Sequence, residues 1–416
     1  MKSGSILLLC VILALAAGCG GGGGGSSASG APAAAAAPAV SLPNGLILPQ
    51  VVGNNVLALT IDGSECSAAT VAQWPNKPCV SITICDPSDS GNCQTVNDIL
   101  LDTGDYGVRI FQQVLPASLI TALGLNPVQV DSLPVYECVE YGDGSKVWGP
   151  VETASVVLAG EPAVNVPIQV IGSSAGNPSQ VCRGSFSSPT TALYNGSLGL
   201  GFFLQDCGPV CASSDRNRVY YTCSGGRCTG AAVPLDSQVH NPVASLPVDN
   251  NGVALLLPSV PSGGTPSATG YLVLGIGTQS NNSPSGVVAY GADQNGNFTT
   301  VFNNVTYESF LDSGSNGFFF TDNAIQGCGD WFCPVSPSTL TLSAATTASA
   351  GSPSGSVQFQ ITNYDSLSSS NNVFSNIGGS LPDLFDWGLP FFLGRNVYAG
   401  IEGTTSSLGM GPYWAY

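Results

Sequence analysis

Two copies of one short signature constrain this 416-residue chain more than any other feature. The first is Ile99-Leu100-Leu101-Asp102-Thr103-Gly104, the second Ser309-Phe310-Leu311-Asp312-Ser313-Gly314. Each is a largely apolar run ending in Asp, a small hydroxyl residue and Gly, with Gly107 and Gly317 following in register. A single Asp-Ser-Gly is only a turn signal. Two copies in matched contexts indicate an internal repeat. The glycine lets the backbone turn tightly and approach a counterpart. The hydroxyl residue can hydrogen-bond the opposite loop, and both Asp side chains then project to a common axis. Two carboxyls at such an axis share a proton and titrate as a pair. One then acts as base toward a water and the other as acid toward a carbonyl oxygen.

Between and beyond the copies, the pattern predicts an all-β chain. Short alternating or apolar runs dominate, at Val80 to Cys85, Ile99 to Leu101, Val166 to Ile171, Val253 to Leu257 and Tyr271 to Leu274, punctuated by Gly, Pro, Asn and Asp. One short helix is predicted from Pro116 to Leu123, with Pro116 in its first turn and Gly124 as its stop. An apolar strand with glycine trails each Asp loop: Ser197-Leu198-Gly199-Leu200-Gly201 after the first, Phe392-Leu393-Gly394 after the second. The repeat divides the chain into lobes at 45–240 and 241–416, with the junction near Ser237 to Val248. Ala344 to Ser356 and Asp365 to Asn372, rich in Ser and Thr or Asn, are expected as exposed loops.

The N-terminus reads as targeting rather than fold. Lys2 precedes an apolar run from Ile6 to Ala17, and Ala16-Ala17-Gly18-Cys19 has the form of a bacterial lipobox. Residues 1–19 are then a lipoprotein signal segment, with Cys19 the lipidated (palmitate-bearing) residue; the alternative is ordinary signal cleavage nearby. Residues 20–44 read as a flexible Gly/Ala/Ser tether. They carry no basic pro-segment, so a conventional zymogen is not expected. The expected location is the bacterial cell envelope, lipid-anchored and facing the periplasm or the cell surface. Setting aside Cys10 and Cys19, an even number of the fourteen cysteines remains, as expected of disulfides in an exported chain. Cys207/Cys211, Cys223/Cys228 and Cys328/Cys333 are the close pairs. A four-thiolate zinc site from Cys207 to Cys228 is the weaker reading.

Net charge is -17. No Lys/Arg cluster is present to neutralise phosphates, which argues against a nucleic-acid partner. The single histidine, His240, excludes a multi-histidine metal site. Neither a metal nor a cofactor is expected. Paired carboxylates also serve glycosidases, but that reading does not account for the matched glycine context.

With these elements in order, the chain from about residue 45 to 416 resembles a pepsin-like aspartic protease. It also looks like bacterial lipoproteins of uncharacterised function that share this layout. Tyr141-Gly142-Asp143-Gly144-Ser145 resembles that family's flap, and Trp148-Gly149 continues into a strand as a hairpin requires. Asn195 to Gly201 is similar to the first-lobe strand of the family. Gly270 to Gly275 resembles the strand before the second catalytic loop, and Phe391 to Tyr398 a late strand. The resemblance implies a monomeric, bilobal all-β fold with a cleft. It implies an Asp102/Asp312 dyad, supported by Thr103, Gly104, Ser313, Gly314 and Ser315, under a flap of Tyr141, Gly142 and Gly144. The implied activity is membrane-anchored endopeptidase cleavage of a peptide or protein substrate. Two positions depart from the family. Asp105 stands where it has Ser or Thr, and Val108-Arg109-Ile110 stands where it favours Trp. Asp105 either points inward as a third carboxylate or turns outward to pair with Arg109. The alternative function is a catalytically silent lipoprotein that binds peptide, protein or glycan in the cleft.

Overall fold

The computed structural model describes residue 48 and residues 50–67, 74–172 and 181–416. The leader, Cys19 and the tether lie outside the described residues. Among the described residues, no helix is long and apolar enough to cross a membrane.

The fold is all-β. The larger of its two main sheets begins at the edge strand Arg227–Gly230 and ends at Ala289–Gly291. Inside it, Val56–Ile61 pairs antiparallel with both Pro78–Asp86 and Ala268–Leu274, so strands from both halves of the chain share one ladder. The second sheet has seven strands, with Ser354–Thr362 at one edge and Gly378–Gly379 at the other. The helix Ala117–Leu123 forms as expected. Pro116 sits at the N-cap position just before the first turn, not within it, and the Gly124 N–H donates to the Ile120 carbonyl at 3.0 Å.

Each Asp loop is built by one arrangement of three strands. Asp89–Asp102 runs parallel to Gly196–Leu200, with Asp102 opposite Gly199, and Tyr106–Phe111 returns antiparallel to Gly196–Leu200. Val305–Asp312 runs parallel to Leu384–Gly388, with Asp312 opposite Gly388, and Phe318–Phe319 returns antiparallel. The second trailing strand is therefore Leu384–Gly388, not the expected Phe392-Leu393-Gly394. The position opposite the Asp has no room for a Cβ. On Gly388 it would lie 2.1 Å from the Gly317 carbonyl oxygen, and on Gly199 2.3 Å from the Tyr106 nitrogen. Gly394 instead has a positive φ of 78° after the helical turn Leu389–Phe392.

Ala344 to Ser356 is a loop only at its centre, where 349–352 are exposed. It spans the tip of a hairpin between Thr339–Thr347 and Ser354–Thr362. Alternate residues such as Ala344, Val357 and Phe359 are buried, and that alternation overrides the Ser/Thr-rich composition.

One buried core runs through both halves of the chain and changes character along it. Aliphatic side chains such as Leu59, Ile82, Ile99, Leu101 and Ile110 pack the first half. Around the second Asp loop the core is aromatic: Phe320 and Phe385 stack at 4.9 Å, and Trp387 lies 4.4 Å from Phe385. Each such burial contributes about 1.5–3 kcal/mol. Six disulfides join Cys66–Cys79, Cys85–Cys93, Cys138–Cys182, Cys207–Cys211, Cys223–Cys228 and Cys328–Cys333. The three close pairs are thus bonded, and the four cysteines from Cys207 to Cys228 are engaged as disulfides.

Candidate active site

The two Asp loops meet through reciprocal hydrogen bonds. Thr103 Oγ1 donates to the Leu311 carbonyl at 3.0 Å and accepts from the Ser313 N–H at 2.9 Å. Ser313 Oγ donates to the Leu101 carbonyl at 2.8 Å and accepts from the Thr103 N–H at 3.1 Å. Four buried backbone groups are satisfied by two hydroxyls, each reaching into the other loop. Leaving any of these groups without a partner costs about 1–3 kcal/mol.

The glycines are sized to the opposite carboxyl. A Cβ on Gly104 would lie 2.8 Å from Asp312 Cγ, and one on Gly314 would lie 2.6 Å from Asp102 Cγ. Each carboxyl therefore rests against the glycine of the other copy. Asp102 and Asp312 are both 0% exposed and hydrogen-bond each other. The Gly104 N–H donates to Asp102 Oδ1, and the Gly314 N–H to Asp312 Oδ1, both at 2.8 Å. Ser315 Oγ donates to Asp312 Oδ2 at 2.8 Å.

The pair is electrostatically unequal. Burial pushes the Asp102 carboxyl well above the usual carboxylate range, and the charges of Asp312 and Asp105 push it further. Burial also raises Asp312, but hydrogen bonds from Asp102, from the Ser315 hydroxyl and from two backbone N–H groups oppose the rise. The pair shares a proton and titrates as a unit, and the surroundings of Asp102 oppose its charge more than those of Asp312 do.

Asp105 combines features of both sequence expectations. It pairs with Arg109 at 2.7 Å, yet the pair is buried rather than turned outward. The Arg109 guanidinium also meets Glu137 at 2.8 Å and Asp206 at 3.0 Å. Tyr220 donates its hydroxyl to Asp206 at 2.6 Å. Burial, and then the neighbouring Glu137, hold Asp206 well above the usual carboxylate range. One cation thus binds three buried carboxyls.

On the other side, Asp386 lies in the strand paired with the Asp312 strand, opposite Phe310. It is 0% exposed, and neither of its carboxyl oxygens has a hydrogen-bond partner among the described residues. Burial, and then the Asp312 charge, push it well above the usual carboxylate range. Its counterpart in the first half is Ser197, opposite Leu100.

Tyr141 does lie at a hairpin tip, between Leu133–Glu140 and Lys146–Val157. Its N–H donates to the Ser145 carbonyl at 2.9 Å, while Gly142 and Gly144 are exposed. Its ring is 2% exposed and packs with Trp74, Leu100 and Tyr194. Nearby, Asn76 bridges the two halves. Its Nδ2 donates to the Asn316 and Phe374 carbonyls, both at 2.8 Å. His240 is half-buried and bonded to Gln238 and Gln205.

The sequence reading missed Glu137, Asp206, Tyr220, Asn76 and Asp386. For Asp386 a signal existed: an acid inside the apolar run Leu384-Phe385-Asp386-Trp387-Gly388. The others lie far from Asp105 and Ser315 in the chain and carry no local mark.

The chain belongs to the family described as "Protein of unknown function (DUF3443)", whose model matches residues 51–416. No curated protein matches it.

Proposed function

We propose that the chain is an aspartic-type endopeptidase of bilobal pepsin-like layout, anchored to the bacterial envelope through Cys19. The observation that carries this reading is the reciprocal Thr103/Ser313 hydrogen bonding, which holds Asp102 and Asp312 in contact. In the proposed reaction, Asp312 takes a proton from water as its oxygen attacks the peptide carbonyl carbon. Asp102 gives its proton to the carbonyl oxygen. Collapse of the tetrahedral intermediate returns a hydroxyl proton to Asp102. Asp312 passes its proton to the leaving nitrogen as the C–N bond breaks. Because burial raises both carboxyls, the pair keeps its shared proton above the usual carboxylate range, and activity fails when that proton is lost.

The test is cleavage of a reduced, unfolded protein by the full chain from pH 3 to pH 8. Asp102→Asn and Asp312→Asn should each lower the rate at least about a hundredfold while the thermal midpoint holds. Cleavage surviving in either variant would remove the dyad. The second reading, a silent binder of peptide, protein or glycan, draws support from the full burial of both carboxyls. It predicts no cleavage at any pH and enrichment of specific members of a peptide library.

A further inference from the structure

Arg395 stands apart from the other cations of this acidic chain. Lys77, Arg109 and Lys146 each have a carboxylate partner. Arg183, Arg216, Arg218 and Arg227 are exposed. Arg395 is half-buried and has no carboxylate partner among the described residues. The undescribed stretches 1–47, 49, 68–73 and 173–180 contain no Asp or Glu, so they supply no side-chain carboxylate either.

The guanidinium is held in place by neutral groups. Its carbon lies 4.5 Å over the Phe391 ring, and Nη1 donates to the Phe391 carbonyl. Its Nε is buried with no acceptor. Burial pulls the group down to about 10, the cost of holding a cation without a counter-charge. Arg395 lines a cavity of about 180 Å³. Val260, Phe318, Phe359 and Leu393 form apolar walls, and the hydroxyl residues Ser259 and Ser375 add polar groups. No acidic residue lines it.

We propose that this cavity is a binding site for a carboxylate carried on an apolar body, with Arg395 as the counter-charge. A guanidinium matches a carboxylate through parallel N–H donors. The apolar body is required by the rest of the molecule. A net charge of -17 repels anions at long range, so affinity must come from burying apolar surface against Phe318, Phe359 and Leu393. A bare inorganic anion gains nothing from those walls. Phe318 follows the second Asp loop closely, and the Leu389 N–H beside Pro390 donates to the Ser315 carbonyl at 2.7 Å. The site therefore backs onto the dyad without including it, and it does not depend on the protease reading.

Calorimetric titration of the full chain with hexanoate, hexanamide and inorganic phosphate tests this. Hexanoate should bind at least tenfold more tightly than either of the others. Arg395→Met should weaken hexanoate at least tenfold and leave hexanamide unchanged. Ser259→Leu, which fills the cavity with Arg395 in place, should weaken both organic probes and guards against misfolding of the arginine variant. Hexanoate binding no tighter than hexanamide, or unaffected by Arg395→Met, overturns the counter-charge. Phosphate binding as tightly as hexanoate overturns the apolar body.

Discussion

The loop at Asp102 and the loop at Asp312 share a backbone and differ in charge. Both end a strand that runs parallel to a glycine-bearing partner, and both rest on the other's glycine. Around Asp102 lies a buried ionic network centred on Arg109. Around Asp312 lie a hydroxyl, Ser315, and a buried acid, Asp386. A duplicated scaffold fixes where two carboxyls meet. Their unlike surroundings oppose the two charges unequally.

The strongest way to break this comparison is Arg109→Met. It strands Asp105, Glu137 and Asp206 without their cation, and the expected loss is about 3–5 kcal/mol. Calorimetry should show the thermal midpoint falling at neutral pH and recovering partly in acid, where the stranded carboxyls protonate. An unchanged midpoint would mean that charge does not hold the network together.

A matched pair of isosteric changes sharpens the contrast. Asp105→Asn removes a carboxylate that faces a guanidinium at 2.7 Å and should cost about 1.5–3 kcal/mol. Asp386→Asn alters a buried carboxyl whose charge is already opposed by burial and by Asp312, and should cost less, under about 1.5 kcal/mol. Denaturant unfolding of both variants at pH 6 reads the difference, and equal losses would erase it. In the cleavage assay, Asp105→Asn should also move the alkaline limb to lower pH, because a charge that raises Asp102 is gone.

The last effect concerns slope rather than level, and it asks what burial alone does away from the dyad. Asp62 is buried and pushed up to about 8. Its unfolded value is about 3.9. Between these values the folded chain keeps a proton that the unfolded chain has released, so stability falls as pH rises through that window. Glu152, raised to about 7 by burial, acts in the same direction. The thermal midpoint should therefore decline from pH 4 to pH 8, and Asp62→Asn should flatten that decline. Asn tolerates the positive φ of 49° at this position. A slope identical to wild type would show that Asp62 is not the group responsible.

Most of the backbone of the candidate site is written locally. Gly104 and Gly314 stand where a Cβ would strike the opposite carboxyl, and Thr103 and Ser313 are the hydroxyls that fasten the loops. The strands at Val80 to Cys85 and Val166 to Ile171 are legible from their apolar patterns, and the short helix from Pro116 and Gly124. The second trailing strand was misread because two nearby glycines, Gly388 and Gly394, both follow apolar residues. Only the close approach of the Gly317 carbonyl distinguishes them.

The sequence by itself determined an all-β chain, a duplicated Asp loop and an even set of disulfide cysteines. These depend on residue type and spacing along the chain. Tertiary structure alone decided that Arg109 gathers Glu137 and Asp206 around Asp105, that Asp386 stands behind Ser315, and that Arg395 faces no acid. Electrostatic environment depends on distance through space. The strands that set it here are remote in the chain, so no local pattern records them.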